Sequence, residues 1–166
     1  MQQWWCEMKV AINIATQVLE LFDDAAEILR KYQVSTAAKG AGEMVNSLCT
    51  PRGKHIIRAK IGAGLPENAV LVGRRPTGEI FMPGMGAKFP DRDWILTRIL
   101  WLSGCELGFN RLGKVDTMRR YIYIHGTPDS VQLGVPGSHG CIRMRNADLV
   151  ELFDFVSAGT EVEITE

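Results

Sequence analysis

The chain has no net charge, no long apolar run and no paired cysteines, and each absence removes a class of protein. Nineteen basic residues cancel nineteen acidic ones over 166 positions, so composition gives no electrostatic reason to expect nucleic acid or an anionic membrane surface as a partner. No stretch of about 18 apolar residues occurs, so no transmembrane helix is expected. The four cysteines, Cys6, Cys49, Cys105 and Cys141, are widely spaced and include no Cys-x-x-Cys pair, which argues against a disulfide framework and mildly for a reducing compartment. The start carries Trp4 and Trp5 but no basic segment followed by about 7 to 15 apolar residues and a small-residue cleavage site. These residues as written lead to the expectation of a cytoplasmic protein, or of a periplasmic or envelope protein should a leader precede them. Internal repeats and low-complexity tails are also lacking.

Glycine is plentiful, at 17 residues beside seven prolines, a turn-rich composition that suits a β fold. The length allows one domain with a real core. Alternation of Val10, Ile12 and Ile14 predicts a first strand within Lys9 to Thr16, with Val18 to Phe22 pairing back on it before an Asp23-Asp24 turn. By spacing, residues 25 to 35 fit either a helical turn or a strand. Residues 37 to 54, rich in Gly, Ala, Ser and Asn, read as a loop carrying Cys49. His55 to Ile61 is a core strand with His55, Ile57, Ala59 and Ile61 on one face, and His55 reads as structural.

Further on, Leu71 to Gly73 and Glu79 to Met82 are short strands about a turn of Arg74-Arg75-Pro76-Thr77-Gly78. The two arginines read first as solvated turn charges and alternatively as a rim for an anionic substrate. Met82 to Gly86 reads as a flexible loop bordering a cleft. Trp94 to Ser103, the most apolar run, reads as a buried strand with Trp94 and Trp101 in the core. Between Gly104 and Arg120 lies a second glycine-rich loop. Asn146 is placed to cap a helix with Leu149, Val150, Leu152, Phe153 and Val156 along one face, Gly159 ends it, and Val162 and Ile164 give a last strand.

Residues 121 to 145 hold two of the three histidines, Cys141, Arg143 and Arg145. Tyr121, Tyr123 and His125 alternate with Ile122 and Ile124, which places the imidazole on a strand face with two tyrosines. Gly126 and Pro128 stop that strand. After a loop, Ser138-His139-Gly140-Cys141 enters a second extended run in which Cys141, Arg143 and Arg145 point one way and Ile142 and Met144 the other.

A thiol is only a few per cent thiolate near neutrality. A neighbouring imidazole can form a thiolate-imidazolium pair with it, and a shift of about three pKa units is worth about 4 kcal/mol. Cys141 would then be a nucleophile. Gly140 lets the backbone approach a substrate, the amides about Cys141 suit an oxyanion, and Arg143 suits a substrate carboxylate. Against this, a cysteine is commonly a small buried hydrophobe and a histidine at a strand end a satisfied structural side chain.

His125-Gly126, followed twelve residues later by Ser138-His139-Gly140-Cys141-Ile142-Arg143-Met144, closely resembles the signature of the L,D-transpeptidase catalytic domain, or YkuD, family. The resemblance implies a mainly β, sandwich-like fold with a short C-terminal helix over residues 8 to 166, leaving 1 to 7 as an N-terminal extension. It resolves residues 25 to 35 towards strand, and Thr50-Pro51-Arg52-Gly53 resembles the family's Thr-Pro-x-Gly. Carried over residue by residue, Cys141 is the acylated nucleophile, His125 the base, and the Gly126 carbonyl orients that base. Ser138, His139 and Gly140 shape the site. Many members carry Asn where this chain has Arg143. The implied substrates are peptidoglycan stem peptides, and insertions such as 104 to 120 form lids over the cleft. Carbapenem sensitivity is also implied, and no cofactor is called for.

Three other readings bear on the same residues. Hydrolysis of the same bond would make the chain an L,D-carboxypeptidase. A zinc site would use His125, His139, Cys141 and Cys105. A non-catalytic wall-binding or immunity module would keep the fold without turnover. Papain-type and caspase-type proteases fit poorly, because their residue order and signatures differ.

Overall fold

In the computed structural model, residues 7–166 are described. Apart from Glu7, the expected N-terminal extension, with Trp4, Trp5 and Cys6, lies outside the described residues. Alternation does place the first strands. β1 (Lys9–Asn13) and β2 (Val18–Phe22) form an antiparallel hairpin with Val10 opposite Leu21 and Ile12 opposite Leu19, so all four buried side chains share one face. β3 (Ile28–Ser35) continues antiparallel from β2, with Tyr32 opposite Leu19. Burial of Tyr32 and Val34, two residues apart, gives this segment the period of a strand.

β4 (Gly53–Ile61), β5 (Ala69–Val72), β6 (Arg75–Ile80), β7 (Ile95–Gly104), β8 (Tyr123–Gly126), β9 (Ile142–Met144) and β10 (Glu161–Thr165) complete one sheet in the order β4-β10-β1-β2-β3-β9-β8-β7-β5-β6. An added pairing of β4 with β7 closes eight of these strands on themselves, which is how the expected sandwich-like architecture is realised. The core draws on Val10, Leu19, Ile57, Leu100, Ile124 and Ile142 among others. α2 (Asn146–Phe155) packs on β7 and β8 and adds Leu149, Leu152 and Phe153.

Several local expectations change. Val72 pairs with Arg75, so the turn between β5 and β6 is only Gly73 and Arg74, both at positive φ (55° and 64°). This is the primed geometry that matches strand twist, and Arg75 to Gly78 are strand rather than turn. Pro83–Lys88, expected as part of a flexible loop, forms α1, a short helix with Pro83 in its first turn. Proline is preorganised at that position, and Met85 docks on Val70, Phe81, Trp94 and Leu96. Asn146 opens α2 but does not cap it; its side chain is spent elsewhere, as described below. The helix ends at Phe155, and Gly159 (φ 94°) lies in the turn beyond it. The 104–120 segment is not a lid along its length. Asn110, fully buried, donates to the Arg52 and Lys54 carbonyls and pins it against the start of β4.

His55 is buried on β4, with Nδ1 3.0 Å from the Gly53 carbonyl oxygen and Nε2 3.0 Å from Thr117 Oγ1. Burial pulls its pKa down to about 4. The unfolded chain takes up this proton below about pH 6.5, whereas the folded chain does not until about pH 4. The stabilisation is therefore complete above about pH 6.5 and is lost as the pH falls through that window, on the order of 3 kcal/mol from this residue. Urea unfolding at a series of pH values checks this, and a His55→Gln variant is expected to lose correspondingly less stability across the same interval.

Candidate active site

The two halves of the 121–145 stretch lie side by side because β8 and β9 pair in parallel, Ile124 with Ile142 and His125 with Arg143. Their even-numbered side chains, Ile124, Ile142 and Met144, are fully buried in the core. The odd-numbered ones, Tyr123, His125, Cys141 and Arg143, line a cavity of about 320 Å³ on the other face. Alternation thus fixes both the core and the site.

Tyr121 does not begin β8. It has φ 55° and is exposed, an unusual backbone state for a bulky residue. In this conformation its carbonyl accepts the Cys141 S–H at 3.3 Å, while Tyr123 N–H donates to Cys141 Sγ at 3.3 Å. The sulfur is held between two backbone groups of one chain reversal.

His125 is fully buried, and its Nδ1 lies 2.7 Å from the Gly126 carbonyl oxygen. A carbonyl can only accept, so Nδ1 carries the proton and Nε2 presents its lone pair. Nε2 has no hydrogen-bond partner among the described residues. This is the arrangement that the resemblance implied for His125 and Gly126. Gly126 must be glycine here, since a Cβ would collide with Asn146 Oδ1 and the Leu96 carbonyl. β7 makes room by a bulge between Leu96 and Ile99, with Thr97 at φ 75°. Asn146 ties these parts together: Oδ1 accepts from Thr97 Oγ1 at 2.7 Å, and Nδ2 donates to Asn68 Oδ1 and to the Thr127 carbonyl.

The turn before Cys141 is equally constrained. Ser138 Oγ donates to the Cys141 carbonyl at 2.5 Å and accepts from Gly140 N–H at 3.1 Å. Gly140 sits at φ 130°, where a Cβ would press on Ile122 and the Cys49 carbonyl. Its own carbonyl accepts from Thr50 Oγ1 at 2.9 Å. The Thr of the Thr-Pro-x-Gly run therefore supports the turn before Cys141, a contact that sequence reading missed.

Residues 7–164 match the L,D-transpeptidase catalytic domain family, YkuD. The chain belongs to this family. Among its relatives, the probable L,D-transpeptidase ErfK/SrfK of Escherichia coli is 47% identical over 47 residues, 28% of this chain and 15% of the relative. The putative L,D-transpeptidase YkuD of Bacillus subtilis is 44% identical over 46 residues, 28% of each chain. Among solved structures, an L,D-transpeptidase from Mycobacterium smegmatis superposes with a TM-score of 0.58 at 20% identity, over 97% of this chain and 59% of that one. L,D-transpeptidase 3 from Mycobacterium tuberculosis gives 0.60 at 15%, over 97% and 62%. The chain thus spans less than two thirds of these relatives, and at such identities the structural likeness concerns the fold.

Within this YkuD domain the remaining polar residues are placed unequally. His139 is exposed, makes no side-chain hydrogen bond among the described residues, and stands between the Cys141 cavity and an adjoining one bounded by Phe81, Trp94 and Thr127. Arg143 borders both cavities, but its charge is already engaged: Nη1 donates to the Gly137 carbonyl and Nη2 lies 3.5 Å from Asp93. Arg120, the end of the expected lid, reaches the cavity and gives its donors to the Gly42, Glu43 and Cys49 carbonyls and to Ser47 Oγ. Asp93 and Arg120 carried no motif of their own in the sequence.

Burial pushes the Cys141 thiol up to about 12, against the Tyr123 N–H and the charges of Arg143 and Arg120. Burial also pulls the His125 imidazole below its usual value. Burial of each group thus opposes the thiolate-imidazolium pair expected from the sequence. No group of three or more His, Cys, Asp or Glu among the described residues is arranged to hold an ion, and Cys105 is exposed just past β7 and does not line the cavity of His125, His139 and Cys141.

Proposed function

We propose that this YkuD domain is a cysteine acyltransferase acting on peptidoglycan tetrapeptide stems. The observation that carries the reading is the His125 ring, with Nδ1 on the Gly126 carbonyl and a free, buried Nε2, in one cavity with the Cys141 thiol. As substrate binds, the S–H proton passes to Nε2 and Sγ attacks the carbonyl carbon of the third residue. The bond to the terminal D-alanine nitrogen breaks, that nitrogen takes the proton from His125, and a thioester remains. An amine of a second stem then attacks the thioester, passing its proton through His125 back to sulfur, and a 3-3 cross-link results. The Cys141 backbone amide stabilises the tetrahedral oxyanion, since the Gly140 N–H is held by Ser138 Oγ.

Product analysis of a disaccharide tetrapeptide, with and without an added D-amino acid, tests this. Exchange of the terminal D-alanine for the added amino acid is the expected result. Tripeptide alone would make the domain an L,D-carboxypeptidase, and no product would leave a binding module. Covalent labelling by a carbapenem is expected alongside exchange.

A further inference from the structure

Three guanidinium groups surround the Cys141 cavity, and two of them are occupied. Arg143 has a carboxylate partner in Asp93, and Arg120 is spent on four neutral acceptors. Arg74 differs. It lines the same cavity, and among the described residues no carboxylate lies within ion-pair distance of it.

Its position is nonetheless tightly determined. The guanidinium carbon lies 4.9 Å from the Trp101 ring centroid and 4.8 Å from that of Tyr121, and Nη1 donates to Tyr123 Oη at 3.0 Å. Two aromatic faces and one hydrogen bond fix the plane of the fork. The remaining N–H groups have no protein acceptor among the described residues. Tyr123, which takes one Arg74 hydrogen, also contacts the sulfur through its backbone N–H, so the fork and the nucleophile are registered to each other through one residue. The backbone adds a second, independent observation. Arg74 occupies a left-handed position (φ 64°) in a two-residue turn, where glycine, asparagine or aspartate is usual and another residue costs about 1 kcal/mol. Strain of this kind is retained where a side chain is needed.

We propose that Arg74 is the carboxylate anchor of the acyl donor: its free N–H groups grip a carboxylate of the peptide while the scissile carbonyl lies at Cys141. The assignment rests on the acyltransferase reading above. Two of the tetrapeptide's carboxylates adjoin the scissile bond and are the candidates: the terminal carboxylate of the leaving D-residue and the side-chain carboxylate of a diamino acid at the third position.

The test compares wild type with Arg74→Gln on three donors: the tetrapeptide, its C-terminal amide, and a tetrapeptide with lysine at the third position. For donors bearing the gripped carboxylate, Arg74→Gln is expected to raise KM by about ten- to a hundredfold with a smaller change in kcat. The donor lacking that carboxylate should be poor with wild type and indifferent to the substitution, which identifies the carboxylate and shows the variant to be folded. Should Arg74→Gln lose cooperative unfolding, Arg74→Lys takes its place, with KM expected to rise less. An equal loss on all three donors, or no loss on any, overturns the anchor while leaving the acyltransferase reading intact. Failure of wild type to turn over any donor overturns that reading, and the anchor with it.

Discussion

Replacing Cys141 by alanine is expected to abolish donor turnover, a fall of at least about 10⁴-fold, while the protein still folds. Cys141 is only partly buried, and alanine deletes one sulfur whose two hydrogen bonds, to the Tyr121 carbonyl and from Tyr123 N–H, are long at 3.3 Å. The loss of stability should be about 1 kcal/mol, visible as a small shift in thermal unfolding. Release of D-alanine from the tetrapeptide checks the activity. Serine is a weaker replacement than its size suggests, because its hydroxyl is a far poorer nucleophile without a stronger base.

His125→Gln gives the second large effect. Removing a positioned base costs about 10²- to 10⁴-fold, and the loss should fall on kcat more than on KM. Burial of both groups adds a pH signature. Because burial holds the imidazole below its usual value, the acid limb of the wild-type profile should lie below the ordinary histidine range. Because the thiol is pushed up to about 12, alkylation of Cys141 by iodoacetamide should keep rising through the alkaline range. A plateau of reactivity at acid pH would instead identify a preformed ion pair. Mapping the alkylated peptide keeps Cys49 and Cys105 from confusing the result.

Much of this molecule could be read from residue order alone. Period-two alternation located β1, β2 and β10, and the 121–145 stretch carried His125, Gly126, Ser138, Gly140 and Cys141 as a linear motif whose two halves need only one parallel pairing to meet. What could not be read depends on contacts between distant segments. Arg74 looked like a solvated turn charge because its environment is made by Trp101, Tyr121 and Tyr123, residues 27 to 49 positions away that share no local pattern with it. Asn146 looked like a helix cap, yet its amide is claimed by Thr97, Asn68 and Thr127. α1 was hidden by its glycines, since docking of Met85 rather than helix propensity holds it. The direction of the Cys141 shift depends on burial against Leu71, Ile99 and Tyr123, and linear spacing carries no information on such packing.

The most direct test of the account is to quench the wild-type protein with a tetrapeptide donor at early times and locate the acyl adduct by peptide mass spectrometry. A tripeptide acyl mass is expected on the fragment carrying Cys141, released by hydroxylamine as a thioester is, and formed together with D-alanine. D-alanine release without any adduct at Cys141, or an adduct on another residue that persists in Cys141→Ala, would contradict it.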